Sequence, residues 1–162
     1  MQNTTTPGKI VTWGRPIYSW KDRSDFRKLG EHFRRMGIIE PSKSLWLNPT
    51  TFARKKDGSL RFCLVFRRVN NIVELDEFEL PNIQTTVRSL YGQKYFSVID
   101  LKDGYFQVPL DEKDREKTAF LDADNKLMQF TKLIQGFKNS PEIFHRGMQI
   151  VLEGLIGTCC YV

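Results

Sequence analysis

The chain has 162 residues, 40% of them hydrophobic, which is enough to bury a core in one domain or a compact pair of subdomains and argues against disorder. It has no C-x-x-C pair, no signal-peptide pattern and no apolar window long enough to cross a bilayer, so we expect an intracellular protein, cytoplasmic or nuclear, that is not secreted. The net charge of +6 is unevenly distributed. Residues 1–70 carry 15 Lys and Arg against 5 Asp and Glu, whereas residues 71–162 carry 10 Lys and Arg against 14 Asp and Glu. A basic first half favours nucleic-acid contact over an ordinary solvated face.

The first predicted element is a helix that follows a flexible lead over residues 1–14. We place its N-cap at Ser24 and its end at Gly37, since cap and stop residues bracket the apolar positions Phe26, Leu29, Phe33 and Met36. An irregular extended crossing over residues 38–48 comes next. No linker composition separates it from the rest of the chain.

Two strand-like segments, TTFARKK and LRFCLVF, are joined by Asp57-Gly58-Ser59. An Asp-Gly turn between such segments is a strong hairpin signal. The predicted tip is cationic, with Arg54, Lys55, Lys56 and Arg61. We therefore expect a projecting basic hairpin.

The second half alternates helices and strands without a regular cadence. A helix over residues 81–91 is followed by a buried strand over residues 95–100, a hairpin of TAFL and KLMQF, and a helix from Asn139 to near Gly157. The final residues, TCCYV, predict the start of another strand. The pattern predicts an α+β fold with a mixed or antiparallel sheet backed by helices.

Asp100 ends the predicted buried strand YFSVID. A carboxylate at that position is costly to desolvate unless a cation meets it, and a metal ion is one candidate.

Six segments occur in the order found in the reverse transcriptases of retroviruses and long-terminal-repeat retrotransposons: GIIEPSKSLWLNP, FARKKDGSLRFC, LPNIQ, KYFSVIDLKDGYFQVPL, KTAF and QGFKNSPEIFHRGM. The chain resembles that family from about Arg15 to Val162. The resemblance implies the fingers and a partial palm of a right-hand polymerase. Fingers would span about 15–80, the palm would start over 81–110, the fingers would return over 111–134, and a palm helix and strand would follow over 135–162.

The resemblance also implies roles for individual residues. Asp100 matches the first catalytic, metal-binding carboxylate, for which the family uses Mg²⁺ or Mn²⁺. Positions that match nucleotide-binding residues are Lys56, Arg61, Asp103, Gly104, Tyr105 and Gln135. The implied partners are an RNA template, a DNA primer and deoxynucleotides.

The family completes its metal site with a Tyr-x-Asp-Asp turn, whereas this sequence reads Cys159-Cys160-Tyr161-Val162 and stops where the two aspartates should begin. We therefore expect the chain alone to be inactive, and its incomplete palm edge to attract a protein partner or a second copy. The alternative is a non-catalytic, domesticated remnant that binds nucleic acid or protein. An RNA-recognition-type domain is disfavoured because its basic-Gly-aromatic signature is missing.

Overall fold

The computed structural model describes residues 10, 12, 18–54, 56, 58, 60–76, 78 and 81–162. The expected flexible lead over residues 1–14 lies almost wholly outside this range. The first helix, α1, spans Trp20–Arg35. Within the described residues no helix has the length and apolar character needed to span a bilayer.

Helix α1 starts earlier than expected. Its N-cap is Ser19, whose hydroxyl oxygen accepts a hydrogen bond from the Asp22 backbone N–H at 3.1 Å, so the predicted cap at Ser24 is wrong. The predicted stop at Gly37 is confirmed by its φ of 65°. Met36 lies beyond the last turn and is exposed rather than buried with Phe26.

In the described part of the chain, five short strands form two antiparallel sheets. Strands β1 (Ile39–Pro41), β2 (Thr50–Arg54), β3 (Leu60–Leu64), β4 (Phe120–Leu121) and β5 (Leu127–Phe130) are arranged as β1-β5-β4 and β2-β3. Both predicted hairpins are therefore confirmed. In the basic hairpin Phe52 lies opposite Phe62.

The core is an aromatic cluster between α1 and the two sheets. Phe26 of α1 stacks on Phe62 of β3 with ring centroids 5.2 Å apart, and Phe62 lies 5.2 Å from Phe120 of β4. Phe120 and Phe130 of β5 are almost fully buried beside them. Large aromatic surfaces dominate the energetics of such a core, so this cluster fixes the hairpin β2–β3 against the three-stranded sheet. The predicted α+β class with antiparallel sheets is confirmed.

The remaining helices are mostly short. They are α2 (Arg67–Asn70), α3 (Ile83–Ser89), α4 (Gly104–Gln107), α5 (Glu112–Arg115) followed by a 3-10 turn (Glu116–Thr118), and α6 (Ser140–Val151). The helix expected over residues 81–91 is shorter than predicted and is capped by Asn82. Helix α6 ends at Val151 and not near Gly157, because turns with left-handed Gly154 and Gly157 follow it.

The predicted strand over residues 95–100 is wrong for this chain. Residues 93–100 are exposed coil, and Val98 keeps 95% of its surface accessible. A strand needs a neighbour to satisfy its backbone N–H and C=O groups, and no described segment pairs with this one. The final strand is also absent: residues 157–159 form turns, with an isolated bridge between Ile156 and Cys160.

Candidate nucleotide-binding site

A tight turn at Asp103 leads into α4 and places Gly104 and Tyr105 against helix α6. Asp103 has a left-handed backbone, with φ of 51°, and immediately precedes α4. A Cβ on Gly104 would lie 3.2 Å from two ring carbons of Phe144 and 3.5 Å from the Leu101 Cβ. Glycine therefore lets α4 approach α6 more closely than a larger residue would.

Tyr105 is half-buried at this contact. Its ring centroid lies 5.2 Å from that of Phe144. Burial raises the pKa of the Tyr105 phenol, and the nearby carboxylate of Glu142 raises it further. The hydroxyl is thus held neutral, and Tyr105 presents an aromatic face beside a hydrogen-bonding tip.

Asp100 lies in the exposed coil before this turn. Its expected position at the end of a buried strand is wrong, because the strand does not form. Throughout the described part of the chain, no group of three His, Cys, Asp or Glu residues could hold a metal ion. Since two-ion phosphoryl transfer needs several carboxylates, the described residues do not by themselves fit such a centre.

The cations of the hairpin β2–β3 fall into two groups. Arg54 binds Asp22 at 2.6 Å and Asp25 at 2.8 Å, which joins β2 to α1. Lys56 and Arg61 are exposed, and neither has an ion-pair partner among the described residues. The turn residues Lys55, Asp57 and Ser59 lie outside the described part of the chain. Among the described cations of the hairpin tip, Lys56 and Arg61 are therefore the two that are available to bind an anionic ligand.

Elsewhere in the first half, two arginines of α1 pair with carboxylates. Arg27 pairs with Asp124 at 2.6 Å, and Arg34 pairs with Asp122 at 3.4 Å. The Asp122 carboxylate is mostly buried and also accepts backbone hydrogen bonds from its own turn. These contacts support the plainer interpretation of α1 as a solvated, ion-paired face.

Gln135 is exposed and lies in a loop beside the end of strand β3. The next residue, Gly136, has a φ of 89°, and a Cβ there would lie 3.7 Å from the Leu64 carbonyl oxygen and 3.8 Å from the Phe66 ring. Gln135 therefore lies near the base of the basic hairpin. The loop continues into α6, which carries Phe144 and so contacts the Gly104–Tyr105 turn.

Several polar residues that sequence reasoning missed hold this loop and helix in place. Asn70 bonds the backbone of Gly136 and Lys138, and Asn139 bonds that of Glu74. On α6, Arg146 forms a two-point ion pair with Asp76 at 2.7 and 2.9 Å and lies 5.0 Å above the ring of Phe78. The only sequence signal was the concentration of asparagines in VNN and KNSP.

The structure thus joins two groups of predicted residues through one helix. Asp103, Gly104 and Tyr105 lie at the turn against α6, and Gln135 lies in the loop before it. Gln135 is in turn close to the end of the strand that carries Arg61. Asp100 is not joined to other carboxylates within the described residues.

Comparisons with known proteins agree on one family. The family model described as reverse transcriptase (RNA-dependent DNA polymerase) matches residues 53–162, a range that contains all seven predicted site residues. The chain is 37% identical over 131 residues to the retrovirus-related Pol polyprotein from transposon opus of Drosophila melanogaster. This alignment covers 78% of the chain and 13% of the polyprotein.

Two solved structures share the fold. A mutant of the prototype foamy virus protease-reverse transcriptase superposes with a TM-score of 0.86 and 23% identity over 98% of this chain and 21% of its own. The foamy viral protease-reverse transcriptase in complex with an RNA/DNA hybrid gives a TM-score of 0.83 and 25% identity over 99% of this chain and 22% of its own. The chain therefore spans a small part of each relative, and it is a reverse-transcriptase-like domain of the RNA-directed DNA polymerase family.

Proposed function

We propose that the chain supplies the fingers and the first part of the palm of an RNA-directed DNA polymerase. Fingers cover about 15–80 and 111–134, and palm segments cover about 81–110 and 135–162. The observation that carries this proposal is that one helix, α6, contacts the Gly104–Tyr105 turn through Phe144 and follows directly on the loop that contains Gln135. Both lie within the segment matched by the family model.

The proposed ligand is an incoming deoxynucleoside triphosphate. Lys56 and Arg61 are exposed cations suited to its phosphates, since arginine can contact two oxygens at once and lysine acts as a point charge. The backbone at Asp103 and Gly104 approaches the triphosphate, and the face of Tyr105 lies under the sugar. Gln135 contacts the nucleotide from the loop before α6.

The proposed macromolecular partners are an RNA template and a DNA primer. One structural relative is described in complex with an RNA/DNA hybrid, which supports this class of ligand. The match covers 22% of that relative's chain. Template and primer contacts would therefore also involve segments of a polymerase that lie outside the matched part.

Reverse transcriptases generally use divalent metal ions. We propose that Asp100 provides one carboxylate to a site for Mg²⁺ or Mn²⁺, with the other ligands coming from outside the described residues. Exposed on a coil, the Asp100 side chain is accessible to such an ion. Bound ions would supply electrostatic stabilisation of the transferring phosphoryl group.

The test uses the natural polypeptide that carries these 162 residues. Asp100→Asn should abolish Mg²⁺-dependent primer extension on an RNA template and weaken Mn²⁺ binding measured by electron paramagnetic resonance. Asp124→Asn is the matched control, because it removes an exposed carboxylate whose ion pair with Arg27 contributes little. Extension at the unsubstituted rate in Asp100→Asn would remove Asp100 from the site.

A second candidate function is a non-catalytic module that binds nucleic acid. The exposed Lys56 and Arg61 favour it, because they need no metal ion to bind phosphates. It predicts metal-independent RNA binding whose affinity falls steeply with salt through counterion release. Salt-independent binding would exclude this candidate.

A further inference from the structure

The Gln135–Gly136 loop is held by both polar atoms of one side-chain amide. The Asn70 Nδ2 donates a hydrogen bond to the Gly136 carbonyl oxygen at 2.9 Å, and the Asn70 Oδ1 accepts one from the Lys138 backbone N–H at 2.9 Å. We propose that Asn70 is a positioning residue for nucleotide binding that acts by fixing Gln135. The inference rests on the proposed function and adds to it a residue that does not itself touch the nucleotide.

At this position only asparagine supplies both the donor for Gly136 and the acceptor for Lys138 on a side chain of the observed length. Aspartate keeps the acceptor for Lys138 but loses the donor for Gly136, and alanine loses both. Glutamine has the same groups on a side chain that is one methylene longer. The geometry therefore requires an amide at the distance that asparagine provides.

Asn70 is itself rigidly held. It ends α2, whose Val69 is fully buried, and Phe66 at the start of that helix packs edge-to-face on Phe137 with ring centroids 5.2 Å apart. Phe137 lies between the two loop residues that Asn70 bonds. The amide and the aromatic contact thus fix the loop from the same short helix.

A second set of bonds secures the other end of the loop. The buried Asn139 donates from Nδ2 to the Glu74 carbonyl oxygen at 2.9 Å and accepts from the Asp76 N–H at 3.3 Å. The Lys138 Nζ donates to the Val73 carbonyl oxygen at 3.2 Å. Residues 70–76 and 136–139 are therefore joined along their length, and the Asn70 bonds are the ones nearest Gln135.

Loss of the Asn70 donor should affect position more than stability. Gly136 is exposed, so water can hydrogen-bond its carbonyl oxygen when the amide is removed, and little desolvation penalty remains. A water molecule cannot, however, fix the backbone that directly follows Gln135. The expected defect is therefore in nucleotide binding rather than in folding.

The test compares Asn70→Asp with Asn71→Asp in the natural polypeptide. Asn71 is exposed, its side chain makes no hydrogen bond among the described residues, and the substitution adds the same charge one residue away. We expect KM for the deoxynucleotide to rise about three- to tenfold in Asn70→Asp relative to Asn71→Asp, as for the loss of one hydrogen bond. The affinity for primer-template and the Tm should match between the two variants.

A double-mutant cycle separates positioning of Gln135 from a general structural role. In a Gln135→Ala background, Asn70→Asp should have little further effect on KM, because the side chain that it positions is gone. An equal effect of Asn70→Asp in both backgrounds would overturn the inference. Equal KM values in Asn70→Asp and Asn71→Asp would do the same.

A measurement without nucleotide tests the bonds themselves. In Asn70→Ala the Lys138 amide should exchange its hydrogen on the order of tenfold faster than in Asn71→Ala, since it loses its acceptor. Unchanged exchange would show that the amide does not hold the loop. Absence of nucleotide incorporation by the unsubstituted polypeptide would instead refute the proposed polymerase function, so the two failures are distinguishable.

Discussion

Replacing Gly104 with alanine tests how closely α4 packs on α6. The new Cβ would lie 3.2 Å from the Cε2 and Cζ atoms of Phe144, a separation that forces the ring to move by a few tenths of an ångström. Such overpacking costs about 1–3 kcal/mol of unfolding free energy. Gly104 is the first residue of α4, so the gain in helix propensity offsets little of this cost.

Gly147→Ala is the matched control for this substitution. Gly147 lies inside α6, and a Cβ there would lie 4.0 Å from the Val108 Cγ2, which is ordinary contact. That variant should be stabilised by about 0.5–1 kcal/mol, because alanine restricts the unfolded chain more than glycine does. The two substitutions should therefore change the unfolding free energy in opposite directions, and the variants should differ by about 1.5–4 kcal/mol.

Urea denaturation and thermal denaturation of both variants, each followed by far-ultraviolet circular dichroism, measure the difference. Each 1 kcal/mol should appear as about 2–4 °C in Tm for a chain of this size. The displaced Phe144 ring also contacts Tyr105, so Gly104→Ala should weaken deoxynucleotide binding as well. Equal stability of the two variants would refute the tight packing inferred at Gly104.

The remaining predictions concern the ion pairs of the hairpin and the exposed coil. Hydrogen bonds from Ser19 and Arg54 hold the pKa of the Asp22 carboxyl below its usual value, so its contribution to stability is present above the usual carboxyl pKa and is lost as pH falls through the lowered one. Asp22→Asn should therefore be less stable than the unsubstituted protein at pH 7 and equal to it at the acid end of the transition, as measured by urea denaturation at a series of pH values. Val98→Lys should reduce self-association of the 162-residue chain in sedimentation at micromolar concentration, because it places charge on an exposed apolar segment. A chain that sediments as a monomer before the substitution would contradict the second expectation.

Local signals in the sequence predicted the elements whose partners are also local. The hairpin β2–β3 follows from two strand-like segments around Asp57-Gly58, and the register of Phe52 opposite Phe62 needs no distant residue. The start of α1 was misplaced because Ser19 and Ser24 are both suitable caps by residue type. Only the hydrogen bond to Asp22 distinguishes them.

Features that depend on distant residues were not predictable in this way. The apolar segment over residues 95–100 has strand-like composition, but composition does not say whether a pairing neighbour is available. The Asn70 bonds join residues 66 and 68 positions apart, so no local pattern reports them. The candidate roles of Gln135 and Tyr105 came from the family resemblance, whereas the contact of Tyr105 with α6 and the place of Gln135 in the loop before that helix came from the structure.

Strand β5 is the central strand of its sheet, and this has a consequence for synthesis of the chain on the ribosome. Ile39 of β1 pairs in register with Phe130 of β5, so β1 has no partner until residue 130 has left the ribosome. At about 5–20 residues per second, the interval between the two residues lasts on the order of 5–20 s. The hairpin β2–β3 can cover Phe26 of α1 once residue 64 has emerged, but Ile39 and the backbone of β1 stay unpaired throughout the interval. This unpaired segment makes the nascent chain a substrate for chaperones that bind exposed apolar segments.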